Sequence, residues 1–192
     1  MTFVSSRRCD AGIETMILKL KQTPAIYLVG FMGCGKSTAG GKLADKLGWR
    51  FYELDAEIEK AASMTISEIF DRQGELKFRE METAALKKLV NSVKTGRPQV
   101  IALGGGTFTI QENYELAANG GVTIWLDAPF DVLEARIAKE TNRPLARDPV
   151  WLRHLYESRR EDYARADYHI VTGDETPDAV VARIMALPLF IP

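Results

Sequence analysis

Short apolar runs alternate along this chain with longer segments in which apolar residues recur every three or four positions. Because runs rich in β-branched and aromatic residues favour strands, the pattern predicts five strands, at residues 25–29, 50–54, 100–103, 122–126 and 168–172. The recurring apolar positions predict helices at about 37–47, 56–62, 66–73, 75–92, 111–118, 130–140, 149–165 and 177–187. This alternation is typical of a parallel sheet with helices on both faces. We therefore predict a three-layer α/β domain whose ligands bind at the carboxyl ends of the strands.

The segment after the first predicted strand has the spacing of a phosphate-binding loop. Residues 30–38 read GFMGCGKST, with Gly30, four free positions, and then Gly35, Lys36 and Ser37. Glycines let successive backbone N–H groups turn inward around an anion. Lys36 adds a positive charge for the outer phosphates, and Ser37 offers a hydroxyl oxygen to Mg²⁺. Since the loop follows a predicted strand and opens a predicted helix, the sequence indicates a nucleotide phosphate site.

Two carboxylates, Glu53 and Asp55, lie one residue apart at the end of the second predicted strand. A phosphoryl-transfer site needs acidic groups near Mg²⁺ and a group that accepts a hydroxyl proton, so both residues are candidates. The alternative interpretation is that Asp55 caps the N-terminus of the following helix.

Three consecutive glycines, Gly104, Gly105 and Gly106, follow the third predicted strand. A tight turn explains one or two glycines, but three in a row are costly in chain entropy. We therefore favour the interpretation that a ligand approaches this backbone closely.

Three arginines on predicted helices and loops, Arg79, Arg143 and Arg159, are candidates for anion binding. Glu75, Arg79 and Glu82 share one helical face, either as a surface ion-pair ladder or as an arginine held toward a substrate carboxylate. The polar segment 141–149 is interpreted as a lid that carries Arg143, with an ordinary solvated loop as the alternative. Arg159 lies one helical turn before Tyr163 in a charge-rich stretch, which is either a solvated face or part of the cleft.

Composition limits the classes of function. A length of 192 residues suits one domain with its own core, and we place that domain at residues 24–187. A net charge of −1 gives no electrostatic reason to expect nucleic acid or an anionic membrane as a partner. The two cysteines, Cys9 and Cys34, do not suggest a structural disulfide, so we expect a cytoplasmic protein. Residues 1–23 predict a flexible tail.

These motifs together resemble those of the shikimate kinases, which are P-loop kinases related in fold to nucleoside monophosphate kinases. The resemblance runs from about residue 25 to residue 185. The loop at 30–38 resembles the family's phosphate loop, and residues 51–59 (FYELDAEIE) resemble its D-x-D stretch. Residues 65–82 (TISEIFDRQGELKFREME) resemble the family's S-I-x-E-I-F…G-E-x-x-F-R-x-x-E stretch. The triple glycine, residues 143–145 (RPL) and the Arg159–Tyr163 spacing follow in the same order, whereas a generic P-loop protein would share only the first motif.

The resemblance implies ATP-dependent phosphorylation of shikimate to shikimate 3-phosphate, in aromatic amino acid biosynthesis. It implies a P-loop kinase fold with a five-stranded parallel sheet, substrate-binding helices at about 55–82 and a mobile lid at about 141–149. Mg²⁺ is the implied cofactor, ATP and shikimate are the implied small-molecule partners, and we expect a monomer.

The resemblance also implies roles for individual residues. The catalytic residues would be Lys36, Asp55 and Arg143, with Asp55 as the candidate base. Glu82 would steady Arg79. The shikimate site would comprise Asp55, Arg79, Gly104, Gly105, Gly106 and Arg159. The nucleotide site would comprise Gly33, Cys34, Gly35, Lys36, Ser37, Thr38, Arg136 and Arg143. Mg²⁺ would be held by Ser37 and, through water, by Glu53.

Two departures and two rival functions stay open at this point. Glu53 stands where the family has an aspartate, and the absence of a proline before Tyr163 leaves the register of Arg159 against Arg160 open. One rival is a kinase for another polyol acid, such as gluconate. The other is a nucleotide-binding regulatory module, which the presence of Lys36, Asp55 and Arg143 disfavours.

Overall fold

In a computed structural model of the protein, the described residues are 25–93, 96, 98–138 and 148–190. They contain one sheet of five strands, which confirms the predicted number. The strands are β1 (Ala25–Val29), β2 (Arg50–Glu53), β3 (Gln99–Ala102), β4 (Val122–Asp127) and β5 (Tyr168–Val171). All neighbours are parallel, and their order across the sheet is β2-β3-β1-β4-β5.

Seven α-helices lie between or after the strands within the described residues. They are α1 (Lys36–Leu47), α2 (Leu54–Ala62), α3 (Ile66–Val93), α4 (Gln111–Gly120), α5 (Phe130–Ile137), α6 (Pro149–Tyr163) and α7 (Pro177–Met185). The predicted α/β class with a parallel sheet is thereby confirmed, and most predicted boundaries differ from the observed ones by one or two residues. Among the described helices, none combines the length and apolar character that crossing a membrane would require.

β1 lies at the centre of the sheet and forms the core of the domain. All five of its residues are buried, and Tyr27 pairs with Ile101 of β3 on one side and with Thr123 of β4 on the other. A parallel strand covered on both faces has a continuous apolar sequence rather than an alternating one, as this strand does. The carboxyl ends of β1, β2 and β3 therefore open side by side at one edge of the sheet.

The helix α1 packs closely on this sheet and ends where the sequence predicted. Gly48 adopts a left-handed conformation with φ 67°, and its N–H donates to the carbonyls of Ala44 and Asp45. A β-carbon at Gly40 would lie 2.6 Å from the ring of Phe51, so the glycine allows the helix to lie against β2.

The predicted end of the second strand needs correction, and so does the capping interpretation of Asp55. β2 ends at Glu53, and Asp55 is the second residue of α2, so Asp55 is not a helix N-cap. The predicted division between helices at 66–73 and 75–92 is confirmed, because α3 consists of two helical stretches that meet at a kink at Gly74, whose φ of 80° and ψ of 170° are not helical. The predicted tail at 1–23 and the lid residues 141–147, including Arg143, lie outside the described residues.

Candidate active site

The loop between β1 and α1 is shaped by glycines in conformations that other residues rarely adopt. Gly30, Gly33 and Gly35 have φ values of 136°, 78° and 96°. A β-carbon at Gly30 would also lie 2.5 Å from the carbonyl oxygen of Leu126. Gly35 precedes α1 without a side-chain cap, so the first N–H groups of this helix are available to an anion.

Lys36 is folded back over this loop. Its side chain is largely buried, and Nζ donates to the carbonyl oxygens of Gly30, at 2.8 Å, and Phe31, at 3.0 Å. The Sγ atom of the buried Cys34 lies 3.8 Å from the same nitrogen. The ammonium group is therefore held at the centre of the loop, where it faces the position of an anion bound by the loop amides.

A cavity of about 580 Å³ opens beside this loop at the carboxyl edge of the sheet. The phosphate loop forms one wall, the end of β2 and the segment after β3 form a second, and the loop after β5 forms a third. The lining includes eleven residues predicted from the sequence, which are Gly33, Cys34, Gly35, Lys36, Ser37, Thr38, Glu53, Asp55, Gly104, Gly105 and Arg136. The structure thus brings together most of the predicted nucleotide and acceptor residues.

Ser37 and Glu53 form the pair of oxygen groups in this cavity that suits Mg²⁺. The Ser37 hydroxyl donates to Oε1 of Glu53, which joins the start of α1 to the end of β2. The described residues contain no cluster of three or more His, Cys, Asp or Glu side chains of the kind that holds a metal alone. Mg²⁺ is commonly bound by one or two protein oxygens together with water and substrate phosphates, so this donor set fits that ion.

Arg136 connects two parts of the cavity wall that are far apart in sequence. Its guanidinium donates to the carbonyl oxygens of Gly33, at 3.2 Å, and Gly173, at 2.6 Å. The first belongs to the phosphate loop and the second to the segment after β5. Arg136, which the resemblance assigns to the nucleotide site, therefore lies at the junction of these two walls of the cavity.

Arg79 is held by two carboxylates of its own helix. Nη1 donates to Oε2 of Glu82 at 2.9 Å, and Nη2 donates to Oε1 of Glu75 at 3.2 Å. Burial opposes the charge of Arg79, but the two carboxylates outweigh it, so the pKa of the guanidinium lies above its ordinary value. Glu82 is only 1% exposed, so the interpretation as a surface ladder alone is wrong for this pair.

The glycines after β3 accommodate the side chains that surround them. A β-carbon at Gly104 would lie 2.7 Å from Oδ1 of Asp55 and 3.0 Å from Oε1 of Glu82. A β-carbon at Gly106 would lie 2.8 to 3.1 Å from the guanidinium of Arg79. Close approach by protein groups therefore gives a reason for glycine at these two positions that is independent of any ligand. Substrate contact at Gly104, Gly105 and Gly106 stays a prediction.

The helix α6 directs Arg159, not Arg160, toward the glycine segment. A β-carbon at Gly105 would lie 3.5 Å from Nη1 of Arg159, and the hydroxyl of Tyr163 donates to the Gly105 carbonyl. Burial raises the pKa of Tyr163, although the neighbouring Arg159 opposes this effect, so the phenol stays protonated. The structure thus places Arg159 and Tyr163 beside Gly105, which itself lines the cavity.

Arg160 lies on the other side of α6 and anchors that helix to the sheet. Its guanidinium donates to both oxygens of the buried Asp127 at the end of β4, at 2.8 and 2.9 Å, and to the hydroxyl of Tyr156. Hydrogen bonding to Asp127 raises the pKa of Arg160 despite its partial burial. His169 also contacts Asp127, with Nε2 3.0 Å from Oδ2.

Sequence reasoning missed this anchor and one further residue, Thr107. Thr107 is fully buried, and its hydroxyl donates to Oε1 of Glu82 at 2.5 Å. Asp127 directly follows the fourth predicted strand, and a threonine after a glycine segment is an ordinary turn residue. Neither residue carries a motif that could have identified it.

Comparisons with known proteins agree with this geometry. The family model for shikimate kinase matches residues 32–187. A shikimate kinase of Ruegeria pomeroyi is 41% identical over 165 residues, which cover 84% of this chain and 83% of that protein. One of Brucella canis is 37% identical over 172 residues, which cover 88% of this chain and 84% of that protein. The solved structure of shikimate kinase from Acinetobacter baumannii in complex with shikimate has a TM-score of 0.79 and 34% identity, covering 88% of this chain and 94% of that one. The chain therefore belongs to the shikimate kinase family.

Proposed function

We propose that this protein transfers the γ-phosphoryl group of ATP to shikimate, which yields ADP and shikimate 3-phosphate for aromatic amino acid biosynthesis. The observation that carries the proposal is the position of Arg79 and Arg159 against neighbouring glycines, Gly106 and Gly105. Two guanidinium groups beside one glycine segment suit a carboxylate, and Gly105 of that segment lines the same cavity as the phosphate loop.

The phosphate loop supplies the nucleotide end of this reaction. The loop amides and the start of α1 bind the β- and γ-phosphates, and Lys36 exchanges its carbonyl partners for phosphate oxygens when the nucleotide enters. Arg136 borders the base between Gly33 and Gly173. These contacts hold the γ-phosphoryl group toward the acceptor and keep water from competing for it.

Ser37 and Glu53 would hold Mg²⁺, with Glu53 acting directly or through water. When bound, the ion neutralises charge on the phosphate oxygens. Because Ser37 already donates to Glu53, the two oxygen groups are in place before the nucleotide binds. The longer side chain of Glu53 therefore substitutes for the aspartate that is usual in the family.

Asp55 supplies the base at the acceptor end. It lies in the first turn of α2, lines the cavity and lies against Gly104. In the proposed reaction Asp55 accepts the proton of the shikimate hydroxyl that attacks the γ-phosphorus. Arg143 would stabilise the negative charge on the transferring group from the lid.

The organisation of the chain is part of this proposal. Residues 24–187 form one kinase domain, with the acceptor region at about 55–82 and the lid at about 141–149. The protein acts as a monomer in the cytoplasm.

A coupled assay of ADP release tests the proposed substrate. With Mg·ATP, we expect turnover with shikimate on the order of 1–100 s⁻¹ and only background release with gluconate or without acceptor. Lys36→Ala serves as the inactive control. Turnover with gluconate would keep the phosphate loop but contradict the carboxylate assignment of Arg79 and Arg159. Tight ATP binding without turnover would instead favour the regulatory module.

A further inference from the structure

Thr107 and Arg79 are connected through one buried carboxylate. Thr107 is the first residue of the 3₁₀ turn Thr107–Thr109, directly after the glycine segment, and it is 0% exposed. Its hydroxyl donates to Oε1 of Glu82 at 2.5 Å, whereas Oε2 of Glu82 accepts from Nη1 of Arg79 at 2.9 Å. Each oxygen of Glu82 therefore has its own donor, and the two donors lie on different elements of the fold.

This arrangement fixes the rotation of the Glu82 carboxylate. A carboxylate held at one oxygen can turn about its last side-chain bond, but two separate donors define its plane. Glu82 is 1% exposed, so bulk water does not replace a lost Thr107 donor as long as the side chain of Arg79 covers the carboxylate. The guanidinium of Arg79 is also confined, because it lies against the backbone of Gly106. The orientation of Arg79 thus depends on the Thr107 hydroxyl, which does not contact Arg79 itself.

We propose that Thr107 is a positioning residue for the acceptor, because its hydroxyl fixes Glu82 and thereby holds Arg79 in the orientation that binds the acceptor's carboxylate. This inference rests on the proposed function. Thr107 is fully buried, so it acts through Glu82 and not by touching the substrate. A merely structural role would lower stability without changing the affinity for a carboxylate.

Thr107→Val removes the hydroxyl and keeps the shape of the side chain, whereas Thr107→Ser keeps the hydroxyl. For Thr107→Val we expect the KM for shikimate to rise about tenfold, since a hydrogen bond to a charged group is lost behind Arg79. The values of kcat and of KM for ATP should stay within about twofold of wild type, and Thr107→Ser should restore the KM for shikimate.

Two comparisons separate positioning from a general loss of structure. In an Arg79→Ala background, Thr107→Val should cause no further rise in KM, because the residue that it positions is absent. With a shikimate analogue whose carboxylate is replaced by a carboxamide, Thr107→Val and wild type should have the same KM. If the valine variant does not fold, Thr107→Ala removes the same hydroxyl and is measured in its place.

An unchanged KM in the valine variant would overturn the inference, and so would an equal rise in the Arg79→Ala background or with the carboxamide. In each of these cases wild type would still phosphorylate shikimate, so the proposed function would stand. Absence of shikimate turnover in wild type would overturn both proposals.

Discussion

Replacing Arg79 with alanine removes the group that the account assigns to the carboxylate of shikimate. The substitution also leaves Glu82 without one of its two donors, because Nη1 of Arg79 lies 2.9 Å from Oε2 of Glu82. The side chain of Arg79 is 25% exposed, whereas that of Glu82 is 1% exposed. The change should therefore reduce both the affinity for shikimate and the stability of the fold.

The two effects have separate magnitudes. A charge-assisted hydrogen bond is worth about 1.5–3 kcal/mol, so the KM for shikimate should rise about 10- to 150-fold. Breaking a buried ion pair costs about 3–5 kcal/mol when the remaining charge is left alone. In Arg79→Ala the Thr107 hydroxyl still donates to Glu82, and water can enter the vacated space. We therefore expect the free energy of unfolding to fall by only about 2 kcal/mol. For a chain of this size, that corresponds to a fall in Tm of about 4–8 °C.

Steady-state kinetics at 25 °C and thermal unfolding measure these effects on the same preparation. Glu75→Gln is the matched control, since Glu75 also contacts Arg79 but its side chain is 65% exposed. In this control variant the free energy of unfolding should fall by less than about 0.5 kcal/mol, and the KM for shikimate should stay within about twofold of wild type. A KM for shikimate that is unchanged in folded Arg79→Ala would refute the assignment of Arg79 to the acceptor carboxylate.

Three further substitutions, one of them with a matched control, test other parts of the structure. Asp55→Ala should lower kcat by about 10²–10⁴-fold while the Kd for ATP stays within about twofold, and near-normal turnover would remove Asp55 from the mechanism. Gly104→Ala places a β-carbon 2.7 Å from Oδ1 of Asp55, so kcat should fall at least about tenfold with ATP affinity retained; wild-type kinetics would show that this contact is unimportant. Asp127→Asn removes the carboxylate that accepts two hydrogen bonds from Arg160, so the free energy of unfolding measured in urea should fall by about 2 kcal/mol. Asp131→Asn, whose side chain is 87% exposed, should cost less than about 0.5 kcal/mol, and equal costs for these two aspartates would contradict the anchoring role of Asp127.

The sequence predicts the centre of the fold well because the signals there are local. β1 spans Ala25–Val29 as predicted, since a continuous apolar run between a proline and a glycine has few other conformations. The end of α1 at Gly48 and the interruption of α3 at Gly74 likewise follow from positive φ values that glycine adopts readily.

The order of the strands and the contacts between distant residues could not be predicted in this way. The alternation of strands and helices along the chain does not predict that β1 lies between β3 and β4 in the sheet. β3 begins at Gln99, a polar residue that is buried. Its side-chain amide donates to the hydroxyl of Ser92 at 2.7 Å, a contact that the pattern of apolar residues does not predict. The pairs Thr107–Glu82 and Asp127–Arg160 join residues 25 and 33 positions apart, and no periodicity along the chain records such contacts.

The candidate site shows the same division. The phosphate loop follows from fixed spacing, and so does the placement of Arg79 between two carboxylates on one helical face. The requirement for small residues at Gly104 and Gly106 does not follow from spacing along the chain. It comes from side chains on α2 and α3 that pack against the glycine segment. These contacts become visible only when the elements are packed together.

Analysis of the product tests the central claim most directly. Wild-type protein is incubated with Mg·ATP and shikimate, and the products are quantified by mass spectrometry and ³¹P NMR. We expect equal amounts of ADP and of shikimate carrying one phosphate on its 3-hydroxyl. ADP formed without phosphorylated shikimate, or phosphate found at another position, would contradict the placement of the acceptor by Arg79, Arg159 and Asp55.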